Sequence, residues 1–131
     1  MKSQNLLIAG GILGAFAVIM GAMGAHALEK LISSDALESF LTGARYNMYH
    51  AIVLLAVASN SKHIHPKWFK FSTYAFIIGT ILFSGSIYLL STRSITGITA
   101  SSILGPITPI GGLVLISGWI SVVIGAIKVQ K

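Results

Sequence analysis

Four ionisable residues lie within or beside apolar stretches of the sequence: His26, Glu29, Arg45 and His50. An imidazole changes its protonation near neutral pH, and a carboxylate can neutralise a guanidinium beside it. Ionisable groups in apolar surroundings are costly, so they mark proton sites, ligand contacts or ion pairs. These four residues are therefore the first candidates for chemistry.

The rise of an α-helix places these residues at two levels. Counted along the apolar stretches at about 1.5 Å per residue, His26 and Arg45 lie roughly 30 Å and 22 Å from the same end, and His50 lies roughly 15 Å from it. Glu29 is then the expected counter-ion of Arg45. The two histidines are too far apart to share a haem or a metal ion.

His50 needs a hydrogen-bond partner at this depth. It is either a neutral imidazole hydrogen-bonded between helices, or a protonation site or ligand contact within a cavity. Tyr46, four residues earlier, and Tyr49 share its side of the helix. The other candidate partners are Asn47, Ser84, Ser86 and Tyr88. The residues predicted to bind a ligand or partner are His26, Glu29, Arg45, Tyr46, Tyr49 and His50.

Recognised catalytic arrangements are missing from the sequence. It has no cysteine and no H-E-x-x-H, G-x-S-x-G or phosphate-loop motif. Its three acids all lie in the first loop, which excludes paired-carboxylate chemistry in the core. His63 and His65 lie in a lysine-rich loop and suit solvent or lipid phosphates better than a metal. We therefore expect no enzymatic activity, no cofactor and no metal.

The composition indicates lipid as the solvent. Of 131 residues, 54% are hydrophobic and only 9% are charged, whereas soluble domains carry about 25% charged residues. Four apolar stretches predict an all-α membrane protein, one domain whose helices at about 6–28, 36–60, 68–90 and 107–127 form a four-transmembrane-helix bundle. A rival interpretation of the first stretch is a signal peptide, but the stretch is longer than a signal core.

The lysines and arginines indicate an orientation. One side carries Lys2, Lys62, Lys67, Lys70, Lys128 and Lys131. The other side has Lys30, Arg45 and Arg93, together with all the acids. The positive-inside rule therefore predicts a multipass membrane protein with both termini cytoplasmic, N-in/C-in. Since the lysines cluster at helix ends, we expect no nucleic-acid partner.

Two connecting segments have features of their own. Residues 33–35 can cap a helix near residue 36, and the apolar spacing that follows predicts an amphipathic lead-in before helix two. Pro106 and Pro109 predict that the last helix begins beside them, with Thr108 as its N-cap. The alternative is a broken helix start whose free N–H groups face a cavity and bind an anion or a lipid headgroup.

Glycines recur at helical spacing in the first and last apolar stretches. Small residues join membrane helices by close packing, because lipid tails are as apolar as leucine. The glycines therefore predict bundle packing and a homo-oligomer or a small membrane-protein partner; the alternative is a seam that slides or lines a pathway. The predicted packing residues are Gly10, Gly14, Gly21, Gly111, Gly118 and Gly125.

Five motifs follow one another along the chain. They are GAMGAH at 21–26, YNMYH at 46–50, FSGSIYL at 83–89, GPITPIGG at 105–112 and GW at 118–119. On these motifs the chain resembles a small bacterial membrane family, domain of unknown function 423, and is similar to the eukaryotic transmembrane protein 256 group. Met23 stands where a phenylalanine is expected, and Asn47 where another polar residue is usual. The resemblance implies a multipass inner-membrane protein with no established activity, and it supplies no functional residues.

The leading hypothesis is a non-enzymatic bundle that binds a membrane lipid, a small ligand or a partner. Its contact surface would be the outer cluster of His26, Glu29 and Arg45. The alternative is a small transporter or channel that uses His50 and Tyr49 near the midplane. A membrane enzyme ranks last, since a nucleophile–base pair is missing.

Overall fold

The computed structural model describes residues 3–129, which are almost entirely helical and contain no strand. The helices are α1 (Ser3–Ala22), α2 (Ser34–Ser59), α3 (Pro66–Ser91), α4 (Arg93–Thr96) and α5 (Ser101–Val129). A π-helix, Met23–Leu28, extends α1. The prediction of an all-α protein is confirmed. Two lysines used for the orientation, Lys2 and Lys131, lie outside the described residues.

Three helical segments are long and apolar enough to cross a membrane: Ser3–Leu28, Pro66–Ser91 and Ser101–Val129. The remaining long helix, α2, has 26 residues, as many as α3. Asp35, Glu38 and Arg45 make the first half of α2 more polar than the other helices. Length and composition therefore support three spans.

The long helices pack as antiparallel neighbours in chain order: α1 on α2, α2 on α3, and α3 on α5. Gly10 of α1 lies against Leu55 of α2, and Gly24, in the π-helix that extends α1, lies against Leu41 of α2. The two helices are thus in contact along their whole length. This order leaves one groove between α1 and α3, with α2 at its base, and another between α2 and α5, with α3 at its base.

Ser33 caps α2, as predicted, because its hydroxyl oxygen accepts a hydrogen bond from the backbone N–H of Ala36 at 3.3 Å. The helix begins at Ser34 and continues without a break. The predicted amphipathic lead-in therefore forms its first turns. There Phe40 is buried and Leu37 is half-buried against it.

The glycines of α5 bring its backbone closest to α3. A Cβ added to Gly111 would lie 2.5 Å from the backbone nitrogen of Phe83. A Cβ added to Gly118 would likewise lie too close to the ring of Phe76, and one added to Gly125 would lie too close to the side chain of Ile64. These three predicted packing residues therefore lie where a side chain would separate the helices.

The predicted packing glycines of α1 differ from one another. Gly10 is tightly enclosed, whereas a Cβ added to Gly14 would make ordinary contact with Ala51 at 3.7 Å. A Cβ added to Gly21 would meet no described atom within 4 Å, because Gly21 lines an open hollow beside Arg45. Gly21 therefore makes no close helix contact among the described residues, and its packing role stays a prediction.

The last helix begins at Ser101, earlier than the predicted start near 107. Pro106 and Pro109 lie inside it, although each lacks the N–H that bonds to the carbonyl four residues earlier. Membrane helices tolerate such breaks where neighbouring side chains support the backbone. Thr108 is therefore an interior residue and not an N-cap. Its hydroxyl forms a hydrogen bond to α3 at 2.6 Å.

Candidate functional site

The predicted outer cluster does not assemble into an ion pair. His26, Glu29 and Arg45 are all exposed. The guanidinium of Arg45 donates a hydrogen bond from Nη2 to Oγ1 of Thr42 at 3.0 Å, and among residues 3–129 no salt bridge joins it to Glu29. The pair was expected from helical depth alone, and depth does not determine the direction in which each side chain points.

His50 is buried, but its hydrogen bond stays within its own helix. Its Nδ1–H donates to the backbone carbonyl of Tyr46 at 2.8 Å, so Nε2 is the acceptor atom of the neutral ring. The ring lies 5.8 Å from that of Phe76 and 6.4 Å from that of Trp119, measured between centroids. The expected hydrogen bond between helices is therefore replaced by aromatic contacts between helices.

The two predicted tyrosines lie at the surface of the same helix. Tyr46 and Tyr49 are exposed, and their ring centroids are 5.7 Å apart. Tyr46 also packs on Phe83 of α3 at 5.0 Å. The structure thus brings Tyr46, Tyr49 and His50 together, and it leaves Arg45 and His26 outside this aromatic group.

A cleft of about 380 Å³ lies between α1 and α3, with α2 at its base. We call it the Asn47 cleft. Its lining surface is almost entirely apolar, although Asn47 of α2 and Thr80, Ser84 and Tyr88 of α3 are among the lining residues. The lining residues include Leu13, Phe16, Met20, Asn47, Ile81, Ser84, Tyr88 and Leu89.

Two polar atoms in the wall of this cleft have no hydrogen-bond partner among the described residues. They are Oδ1 of Asn47 and Oγ of Ser84, and each residue is only 2% exposed. An unpaired polar group in such a position costs about 1–3 kcal/mol. Native structures keep few of these groups, so each one needs an explanation.

The remaining polar groups of the cleft are fixed by the fold. Nδ2 of Asn47 donates to the hydroxyl oxygen of Tyr88 at 3.3 Å, which leaves the tyrosine proton free to be donated. The Tyr88 ring packs between Phe40 at 4.9 Å and Phe16 at 6.0 Å. Gly43 makes this packing feasible, because a Cβ there would lie 3.1 Å from the Tyr88 ring.

The spacing of α3 explains why these groups share one side. Thr80, Ser84 and Tyr88 follow one another at intervals of four residues, which places them on one face of the helix. Sequence reasoning named Ser84, Tyr88 and Asn47 only as candidate partners of His50. The row of hydroxyls along one face of the helix was the signal that could have identified a separate site.

A second, polar cavity of about 550 Å³ lies where the start of α2 meets α4. Asp35 and Arg93 line it together with several serines, and Thr108 of α5 also contributes. The hydroxyls of Thr108 and Ser86 are 2.6 Å apart and tie α5 to α3 beside it. This cavity places opposite charges at the end of the helices that holds all three acids.

These features define a small helical membrane protein with a mostly apolar cleft between its helices. A model of the family described as Protein of unknown function (DUF423) matches residues 20–112. The chain belongs to this family, which confirms the resemblance drawn from its motifs.

Curated relatives match nearly the whole chain. A Bacillus subtilis UPF0382 membrane protein, YwdK, is 40% identical over 93% of this chain and 95% of its own length. A UPF0382 membrane protein of Haemophilus influenzae is 38% identical over 98% and 97%. The UPF0382 inner membrane protein YgdD of Escherichia coli is 31% identical over 100% and 95%. No solved structure matches the chain.

Proposed function

We propose that this protein is a non-enzymatic membrane protein that binds an amphiphilic lipid or lipid-like ligand in the Asn47 cleft. The observation that carries the proposal is the pair of unpaired polar atoms, Asn47 Oδ1 and Ser84 Oγ, in the wall of one apolar cleft. A ligand headgroup that paired with them would remove the cost of leaving them unpaired.

The chemistry of the cleft limits the ligand. Asn47 Oδ1 is an acceptor, the Ser84 hydroxyl donates or accepts, and the Tyr88 hydroxyl can donate. A headgroup with both a donor and an acceptor, such as a hydroxyl, amide or protonated acid, fits this set. Leu13, Phe16 and Ile81 in the walls suit an acyl or isoprenoid chain. Since lipid tails contact such walls without selectivity, the polar groups must supply the specificity.

The same proposal includes four membrane crossings with both termini cytoplasmic. Contacts of α1 with α2 extend from Gly10 and Leu55 to Gly24 and Leu41, so α2 accompanies α1 across the bilayer. The lysines of the loop before α3 and the end of α5 lie together, and the acids lie at the opposite end. That asymmetry favours a cytoplasmic location for the lysine-rich end.

The test of ligand binding uses the full-length protein purified in mild detergent. Native mass spectrometry measures which lipids stay bound to the wild type, to Ser84→Ala and to a control, Ser59→Ala. Ser59 is matched because its hydroxyl is exposed and bonds only to its own helix. We expect Ser84→Ala to lower the affinity for one lipid class roughly threefold to eighteenfold, because a membrane hydrogen bond contributes about 0.6–1.7 kcal/mol.

Stability separates a binding role from a structural one. Ser84→Ala removes a hydroxyl that has no partner in the described chain, so after delipidation the variant should be as stable as the wild type or up to about 1 kcal/mol more stable. A variant that is less stable without lipid, or that retains the wild-type lipids, contradicts the proposal.

The other hypotheses receive no comparable support. His50 does not line the cavities described above, and its Nδ1–H is engaged by its own helix, so transport through His50 and Tyr49 stays a prediction. Binding of a partner by the exposed His26, Glu29 and Arg45, and association into a homo-oligomer, also stay predictions.

A further inference from the structure

The polar cavity at the start of α2 carries charges of both signs in its own lining. We call it the Asp35–Arg93 cavity. Asp35 comes from the first turn of α2 and Arg93 from α4, and the cavity has a volume of about 550 Å³. It shares no lining residue with the Asn47 cleft. A ligand bound here would therefore be distinct from the one proposed above.

Neither charge is paired within the described chain. Asp35 and Arg93 both line the cavity, and among residues 3–129 their side chains form no salt bridge and no hydrogen bond. Both residues are exposed, so a ligand can reach them. A carboxylate accepts hydrogen bonds and a guanidinium donates them. The cavity is therefore complementary to a ligand that has an ammonium and an anionic group.

A neighbouring hollow of about 410 Å³ extends the negative side of this cavity. Asp35, Ser39 and Ile87 line both spaces. The hollow adds Glu38, which lies three residues after Asp35 and therefore on the same face of α2. Arg93 lines only the larger space. The charges thus change from negative to positive across two adjoining hollows.

Hydroxyl groups accompany the guanidinium on the positive side. Ser91 lines the cavity and is only 6% exposed. Among residues 3–129 its hydroxyl forms no hydrogen bond, so a ligand in the cavity can supply its partner. Ser94, next to Arg93 in α4, adds a second hydroxyl to the lining. A guanidinium with two hydroxyls is a donor set that suits phosphate oxygens.

The position of the cavity relates it to lipid headgroups. Ser91 is the last residue of α3, which is long and apolar enough to cross a membrane. One turn earlier, Ile87 also lines the cavity. Phe83 follows a further turn towards the middle of α3, and the ring of Tyr46 packs on it at 5.0 Å. The surface therefore changes from charged to apolar along α3, as a membrane lipid does from headgroup to chain.

We infer that the Asp35–Arg93 cavity binds an ethanolamine phosphate group, with the ammonium at its Asp35 and Glu38 side and the phosphate at its Arg93 side. A simple anion would leave the carboxylates without a partner, and a metal cation would meet the guanidinium. This group occurs as the headgroup of phosphatidylethanolamine and as soluble phosphoethanolamine. The apolar surface that follows favours the lipid, because an acyl chain can lie over Phe83.

Native mass spectrometry of the full-length protein in mild detergent tests the inference, with phosphatidylethanolamine or phosphatidylcholine added at increasing concentrations. The two lipids have the same net charge, so general attraction to a charged surface cancels in the comparison. They differ because the trimethylated nitrogen of phosphatidylcholine has no N–H to donate to a carboxylate. Phosphoethanolamine, added as a competitor, distinguishes the lipid from the soluble compound.

We expect the wild type to prefer phosphatidylethanolamine. The double variant Asp35→Asn/Glu38→Gln should bind the two lipids equally. Arg93→Gln should weaken the binding of both lipids about fivefold, because both contain the phosphate. The matched control is Lys30→Gln, which removes a positive charge from the same end of the molecule but from neither hollow, and it should bind like the wild type. Circular dichroism verifies that each variant keeps its helices.

Three results would overturn the inference. Equal affinity of the wild type for the two lipids removes the role of the ammonium, and so does a preference that survives in the double variant. Equal weakening by Arg93→Gln and Lys30→Gln reduces the effect to the general charge of this end. Displacement of the lipid by an equal concentration of phosphoethanolamine would assign the cavity to the soluble compound. Because Ser84 lies outside this cavity, Ser84→Ala should leave the preference unchanged, which keeps the two proposals separate.

Discussion

Asn47 and Tyr88 are hydrogen-bonded across the interface of α2 and α3, with Nδ2 of the amide 3.3 Å from the phenolic oxygen. This bond uses the amide nitrogen and leaves the amide oxygen without a partner among residues 3–129. One side chain thus joins two helices with one atom and keeps a second polar atom buried and unpaired beside the cleft. The same side chain therefore contributes to helix packing and to the proposed binding site.

The Asn47–Tyr88 bond can be measured by a double-mutant cycle with Asn47→Leu and Tyr88→Phe. We expect a coupling of about 0.6 kcal/mol, and at most about 1.7 kcal/mol, because hydrogen bonds in membrane proteins have this size. Reversible unfolding in mixed micelles provides the four free energies. A coupling of zero would mean that the Asn47 amide and the Tyr88 hydroxyl are not hydrogen-bonded in the micelle.

Gly111→Ala should strongly destabilise the packing of α3 against α5. The new Cβ would lie 2.5 Å from the backbone nitrogen of Phe83, and a backbone cannot rotate aside as a side chain can. We expect a loss of about 1–3 kcal/mol, as for other overpacked sites, measured as thermal stability in detergent.

The control for that substitution is Gly21→Ala, since a Cβ on Gly21 meets no described atom within 4 Å. It should leave stability unchanged or raise it by up to about 1 kcal/mol, because alanine favours the helix. Equal losses in the two variants would contradict the helix packing described here.

Thr108→Val should weaken the connection between α5 and α3. It keeps the shape of the side chain and removes the hydroxyl that lies 2.6 Å from Ser86 Oγ. We expect a loss of about 0.6–1.7 kcal/mol. Ser86→Ala should cost a similar amount, and the double variant should cost no more than either one. Additive losses would show that the two hydroxyls act independently.

The proposed topology can be tested by labelling single cysteines, because the sequence has none of its own. A membrane-impermeant thiol reagent should label Ser94→Cys in intact cells. It should label Lys62→Cys only after the cells are permeabilised. The reverse labelling pattern would show that the protein has the opposite orientation in the membrane. Labelling of both positions in intact cells would rule out the four proposed crossings.

The sequence was sufficient for the class of the fold because composition and apolar length determine it. Three helices meet the requirements for a membrane span by these two criteria alone. The predicted start of the last helix was wrong, because a helix was expected to begin beside Pro106 and Pro109, where the missing N–H groups of proline cost least. Inside a bundle the helix continues through both residues.

The site was harder to predict because it depends on side-chain direction. Helical depth brought Glu29 and Arg45 to one level, but Arg45 bonds to Thr42 instead. Depth placed His50 near the midplane, but it does not predict that the ring is buried and bonded to the carbonyl of Tyr46. The relation between Asn47 and Ser84 needs the packing of three helices, which no single stretch of sequence contains.

The most direct test of the Asn47 cleft is photo-crosslinking in the native membrane. A benzophenone amino acid replaces Phe16, which lines the cleft, or Ile116, which is exposed on α5. We expect position 16 to capture one lipid class selectively and position 116 to capture the bulk lipid mixture, and we expect Ser84→Ala to abolish the selectivity. The same lipid mixture at both positions, or selectivity that survives Ser84→Ala, would contradict the proposal.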